Sequence, residues 1–201
     1  MRIRTMVIAA VLVALSVAVM SVASEDTSGD PAWDFEYDGM YYHFSDDGVF
    51  LAGTVDSEGT MEIPEYVVHN DVRYPVTGIG TIAFSGYTFH GDVVVPDWIR
   101  TMEYGAFWNS SIETISLPAD VARGPSGEPF VWCESLTKII VTPGASGEVA
   151  GGFGSLLGLN DQPIEVIEIS EGVTSIGRGG LPELQEPRDR AVPRIAQGDR
   201  Q

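Results

Sequence analysis

The sequence is short of basic side chains, of cysteine and of catalytic signatures. Eleven Lys and Arg face 29 Asp and Glu among 201 residues, a formal net charge of −18. A surface this negative repels phosphate backbones, which excludes nucleic acid as an expected partner. One cysteine, Cys133, rules out an internal disulfide, so stability has to come from packing. It follows Val131 and Trp132 and reads as a small buried residue rather than a nucleophile, since the three histidines (His43, His69, His90) are scattered and show no tie to it. There is no G-x-S-x-G elbow, Walker-type loop, H-E-x-x-H or paired C-x-x-C. No catalytic residue, cofactor or metal site is expected. The turn SDDG (residues 45–48) carries a weak calcium signal, but calcium wants six or more oxygens and no EF-hand spacing is present. Long hydrophobic runs are missing too, with one exception at the N-terminus.

That exception is MRIRT followed by MVIAAVLVALSVAVM, two arginines and an apolar run short for a bilayer span of about 20 residues. It reads as a secretory signal (residues 1–23), with the cut after Ala23 in the small-x-small stretch Ser21-Val22-Ala23. Membrane contact is expected only if this segment stays uncleaved as an anchor. Without Arg2 and Arg4, nine basic residues remain against 29 acidic ones. Residues 24–177 hold four of the nine: Arg73, Arg100, Arg123 and Lys138.

What the sequence does have is a repeat. Phe84, Phe107, Phe130 and Phe153 stand 23 residues apart, each after a small residue or proline: Ala83, Ala106, Pro129 and Gly152. A fifth unit, VTSIGRGGL, puts Leu181 in that place after a five-residue insertion. Short β-rich runs keep step: MEIP ending at Pro64, VVVP at Pro96, ISLP at Pro118, IIVT at Thr142 and IEIS at Ser170. Three sit in one apolar frame: Ile112-x-x-Ile115-x-Leu117, Leu136-x-x-Ile139-x-Val141 and Ile164-x-x-Ile167-x-Ile169. Residues two apart share a strand face, and the one three earlier reaches the same core through the incoming turn. The pattern therefore predicts a mainly β repeat solenoid with one short parallel strand per coil. About five coils span residues 59–182. In the stretch YPVTGIGTIAF, Val76 and Ile79 are expected to plug the core while Gly78 and Gly80 permit tight bends. About five apolar side chains per coil, each contributing roughly 1.5–3 kcal/mol when buried, offset much of the ordering cost, and only when coils stack.

The flanks read differently. Residues 24–32 form a flexible leader. Residues 33–58 form a β-hairpin cap: Asp38-Gly39 sits between FEY and MYYHF, a two-residue hairpin signal, and GVFLAGTV supplies a further strand. The aromatics Trp33, Phe35, Tyr37, Tyr41 and Tyr42 are expected to cover the first coil, with a ligand platform as the other use for them. Residues 183–201 lose the pattern and are expected to be a disordered tail.

MEIPEYV…YPVTGIGTIAF, VVVPDWIRTMEYGAF, ISLPADV and IEISEGVTSIG together resemble the BspA-like leucine-rich repeat family. Over about residues 33–181 the resemblance implies a leucine-rich repeat solenoid, exported or displayed at the cell surface, binding an extracellular protein or glycan in adhesion. Two other readings stay open: a structural envelope component with no discrete ligand, and an exported hydrolase outside known motifs. By strand alternation, the face pointing away from the core holds Thr60, Glu62, Asp92, Val94, Thr114, Ser116, Lys138, Ile140, Val166 and Glu168. This is the expected partner-binding face. Asn109 opens an Asn-Ser-Ser glycosylation sequon in a turn.

Overall fold

The computed structural model describes residues 33–125, 127–156, 163–181 and 194–197. The segments read above as signal and leader, and residues 183–193 and 198–201 of the tail, lie outside the described residues. Among those described, no helix is long and apolar enough to cross a membrane.

The chain opens with an antiparallel meander of β1 (Phe35–Tyr37), β2 (Met40–Ser45) and β3 (Gly48–Thr54). The first turn is the expected one: Tyr37 pairs with Met40, and Asp38 and Gly39 both take positive φ (51° and 75°). Buried Val49 and Leu51 alternate with half-buried neighbours along β3. After β4 (Glu58–Gly59), a second hairpin joins β5 (Tyr66–His69) to β6 (Val72–Ile79). Its turn is Asn70-Asp71, both at positive φ, in a stretch that the sequence reading left without structure. β6 then lies parallel to β3, so the cap is continuous with the coils.

The coils follow in order: β7 (Thr88–Phe89), β8 (Val93–Val94), β9 (Thr101–Met102), β10 (Thr114–Pro118), β11 (Ala122–Arg123), β12 (Lys138–Thr142), β13 (Glu148–Val149), a helical turn α1 (Phe153–Leu156), β14 (Val166–Ile169), β15 (Ser175–Ile176) and β16 (Arg194–Gln197). One parallel sheet runs β8-β10-β12-β14-β16. A second wall is built from β6, β9 and β11 in parallel behind β3, and β13 pairs with β15 in the later coils. The architecture is a leucine-rich repeat solenoid of about four turns.

The core is where the repeat put it. Phe84, Phe107, Phe130 and Phe153 are all buried. Phe107 stacks between Phe84 (centroids 5.4 Å apart, planes 10°) and Phe130 (5.5 Å, 12°). That spacing is close to the rise between neighbouring strands, roughly 4.8 Å. Ile112, Ile115, Leu117, Leu136, Ile139 and Val141 are fully buried, as the apolar frame required. Cys133 is buried as well, and its thiol donates to the Phe107 carbonyl at 2.9 Å.

Four expectations need correction. There are two strands per coil, not one. The return half of the turn pairs with its neighbours through two-residue ladders, too short to leave a period in the sequence. MEIP forms no strand, although Ile63 is buried; Pro64 has no N–H to donate, and the pairing in that coil is made by β4 with β7. Gly78 and Gly80 are not bends. Neither has positive φ, and both are small because β3 presses on them: a Cβ on Gly78 would stand 2.7 Å from the Phe50 ring, and one on Gly80 2.9 Å from the Leu51 carbonyl oxygen. Finally, residues 194–197, read as part of the tail, form β16 against β14, where the sheet's edge offers open ladder positions to an extended chain.

Candidate functional site

The β8-β10-β12-β14 sheet has a packed inner side and an outer side of mixed chemistry. Its inner residues Ile115, Leu117, Ile139, Val141 and Ile167 are buried. The residues between them form two outward rows across the coils. Register aligns Val94, Ser116, Ile140 and Glu168 in one row, and Thr114, Lys138 and Val166 in the next. Lys138 Nζ and Glu168 Oε2 are 2.8 Å apart across the two rows. Val94 is 52% exposed, and the other six are half-buried.

Seven of the ten residues named from the sequence are thus brought together. Asp92 is exposed and directly precedes β8. Thr60 and Glu62 are exposed but stand on no strand, because MEIP does not join the sheet. Glu62 instead lines a cleft of about 310 Å³ shared with Tyr37, Asp38, Met40, Tyr42 and Ile63, between the cap and the first coil. Tyr42 lies behind this cleft, and burial, then the Asp38 charge, push its phenol pKa well above the usual value. The aromatics of the cap divide in two. Phe35 and Tyr42 are buried and stacked, whereas Trp33 lies on Tyr41 at 4.6 Å on the outside.

The sequence reading missed an aromatic edge. Tyr104, Trp108 and Trp132 meet edge-to-face, with centroids 5.5 and 5.1 Å apart, and Trp132 is 61% exposed. The second residue after three of the four core phenylalanines takes positive φ: Gly86 (66°), Asn109 (51°) and Trp132 (59°), whereas Ser155 after Phe153 lies in α1. Gly and Asn suit that conformation; Trp does not. Aligning the units on their phenylalanines would have exposed this slot. Asn109, the sequon residue, occupies it in the middle unit, exposed, with its backbone N–H donating to the Val131 carbonyl.

In the calcium-like turn, Asp47 accepts hydrogen bonds from Ser45 and from Thr77 of β6, both at 3.2 Å, and so ties the hairpin to the coils. Among the described residues, no three His, Cys, Asp or Glu side chains gather as a metal-holding group. The Cys133 thiol pKa is raised by burial, partly opposed by the Ser110 hydrogen bonds, which suits a packed thiol rather than a reactive one.

No protein-family model matches the chain, and no curated protein matches it. Solved structures with a similar fold include a leucine-rich cell surface protein from Faecalibacterium prausnitzii A2-165 (18% identity, TM-score 0.40, covering 74% of this chain and 51% of that one). Others are a leucine-rich repeat protein from Bacteroides ovatus ATCC 8483 (14%, 0.32, 72% and 61%) and the pneumococcal vaccine antigen PcpA (15%, 0.35, 74% and 47%). The chain spans about half the length of these proteins. At such identities the likeness concerns the fold alone. The leucine-rich repeat assignment rests on the chain's own coils.

Proposed function

We propose that the chain is a secreted or surface-displayed repeat module that binds an extracellular protein or glycan, in adhesion, through the outer side of the β8-β10-β12-β14 sheet. One observation carries the reading. Seven side chains drawn from four coils form a single continuous surface, while the core is completed by the inner residues alone. Small hydroxyls (Thr114, Ser116), apolar groups (exposed Val94, half-buried Ile140) and one ion pair offer hydrogen bonds, contact area and orientation without a deep pocket. Flat mixed surfaces of this kind suit macromolecules better than small ligands. No catalytic role is proposed for the chain.

The test is saturable binding of the soluble chain to a panel of matrix proteins and glycans, with Thr114→Arg, Ser116→Arg and Ile140→Asp compared singly and combined. The combined variant is expected to abolish binding while keeping the circular dichroism spectrum. Unchanged binding by that variant removes the sheet from the proposal. Retention in an envelope fraction without any saturable ligand favours the structural reading instead. Export itself is checked by the mass of the released chain, expected to begin at Ser24.

A further inference from the structure

The cleft between the cap and the first coil has a chemistry of its own. Its walls are Tyr37, Asp38 and Met40 from the first hairpin and Glu62 and Ile63 from the chain entering the coils; Tyr42 lies behind. No basic residue lines it, and neither Asp38 nor Glu62 has an ion-pair partner among the described residues. The Tyr42 side chain is fully buried, and its hydroxyl donates to the Met40 sulfur at 3.3 Å. Two carboxylates, the partly exposed ring of Tyr37 and the polarisable sulfur of Met40 together make a lining that a cation selects. The same chain already shows such a contact: the Arg73 guanidinium sits 3.7 Å above the Tyr66 ring. The volume, about 310 Å³, has room for an alkylammonium chain but not for a folded surface. Acid–base hydrolysis would want one carboxyl kept protonated by an apolar pocket; Asp38 and Glu62 are both solvent-exposed.

We infer that this cleft is a receptor for an alkylammonium group with the length and girth of a lysine side chain, borne by a protein or by a free amine. It stands apart from the sheet face and does not depend on it.

The test uses the full chain in low salt. Backbone amide shifts of residues 37–42, 62 and 63 are followed by NMR during titration with n-butylammonium, Nα-acetyl-lysine methylamide and their neutral counterparts, 1-butanol and Nα-acetyl-norleucine methylamide. The charged probes are expected to saturate these amides and to bind about tenfold more tightly than the neutral ones, the size expected of two partly exposed charge contacts and a cation–π contact. Asp38→Asn with Glu62→Gln is expected to remove that advantage. Asn suits the left-handed turn position at least as well as Asp, so the hairpin is kept. The Thr114, Ser116 and Ile140 substitutions are expected to leave the titration unchanged, which separates this site from the sheet. Equal affinity for butylammonium and the lysine amide points to free amines; a clear preference for the lysine amide points to a peptide. Both outcomes support the site. Equal binding of the neutral probes, undiminished binding by the double variant, or shifts spread over the whole acidic surface would each overturn it.

Discussion

Replacing Phe107 by alanine tests the stacking of the coils most directly. The ring is fully buried, with one phenylalanine ring 5.4 Å away on one side and another 5.5 Å away on the other, both nearly parallel to it. Phe89 also touches it, with its centroid 6.0 Å away. Truncating a buried phenylalanine costs about 3–5 kcal/mol, the spread depending on how far the site can collapse. Here collapse is opposed from both sides, because Phe84 and Phe130 belong to coils held in place by their own ladders. The cost should therefore fall near the top of that range, about 5 kcal/mol. Domains of this size have about 5–15 kcal/mol in all. Phe107→Leu keeps most of the volume and loses the two ring contacts, each worth about 0.5–1.5 kcal/mol, so about 2 kcal/mol is expected. Urea unfolding followed by tryptophan fluorescence and far-ultraviolet circular dichroism measures both variants. Coils that depend on each other should also unfold less cooperatively once the middle contact is lost, with the two probes parting in the alanine variant. A loss under about 1.5 kcal/mol for Phe107→Ala, or equal losses for alanine and leucine, would refute the reasoning.

Trp132→Asn should raise stability by about 1 kcal/mol, read as a higher melting temperature, because it relieves a left-handed backbone while giving up a mostly exposed side chain; a lower melting temperature would mean the ring packs for stability. Gly78→Ala should cost about 2 kcal/mol through its clash with the Phe50 ring, and the loss should shrink by half or more in a Phe50→Ala background, as a double-mutant cycle would show. Cys133 should resist thiol reagents in the folded chain. Its folded pKa lies above the ordinary 9.0, so the folded state keeps the proton longer than the unfolded one; stability falls as pH climbs past about 9, and this part of the slope should vanish in Cys133→Ala.

The parts of the fold legible in the sequence were those repeated by burial. Phe84, Phe107, Phe130 and Phe153 keep their spacing because each must land over the last, and Asp38-Gly39 announces its turn by local backbone chemistry alone. The second wall was hidden because a two-residue ladder such as β9 with β11 has no period to detect. Its glycines were misread because close approach of β3 is a tertiary fact that leaves no local mark. Asn70-Asp71 was legible in principle, as two residues tolerant of positive φ between apolar runs, yet Asp-Gly is the stronger signal. Of the candidate face, strand alternation found the seven residues that share the sheet. It misplaced Thr60 and Glu62, since alternation presupposes a strand that Pro64 helps to prevent. The cleft depends on a cap and a coil meeting, and neither segment specifies it alone.

The ion pair on the outer sheet has a practical consequence. Lys138 is the single lysine of the chain, and it stands among the residues on which the binding proposal rests. Amine-coupled sensor chips and succinimidyl dyes would therefore attach there or at the N-terminal amine, masking the very patch under study. Capture through a terminal tag keeps that patch open, and a Lys138→Arg variant preserves its charge while making it inert to such chemistry.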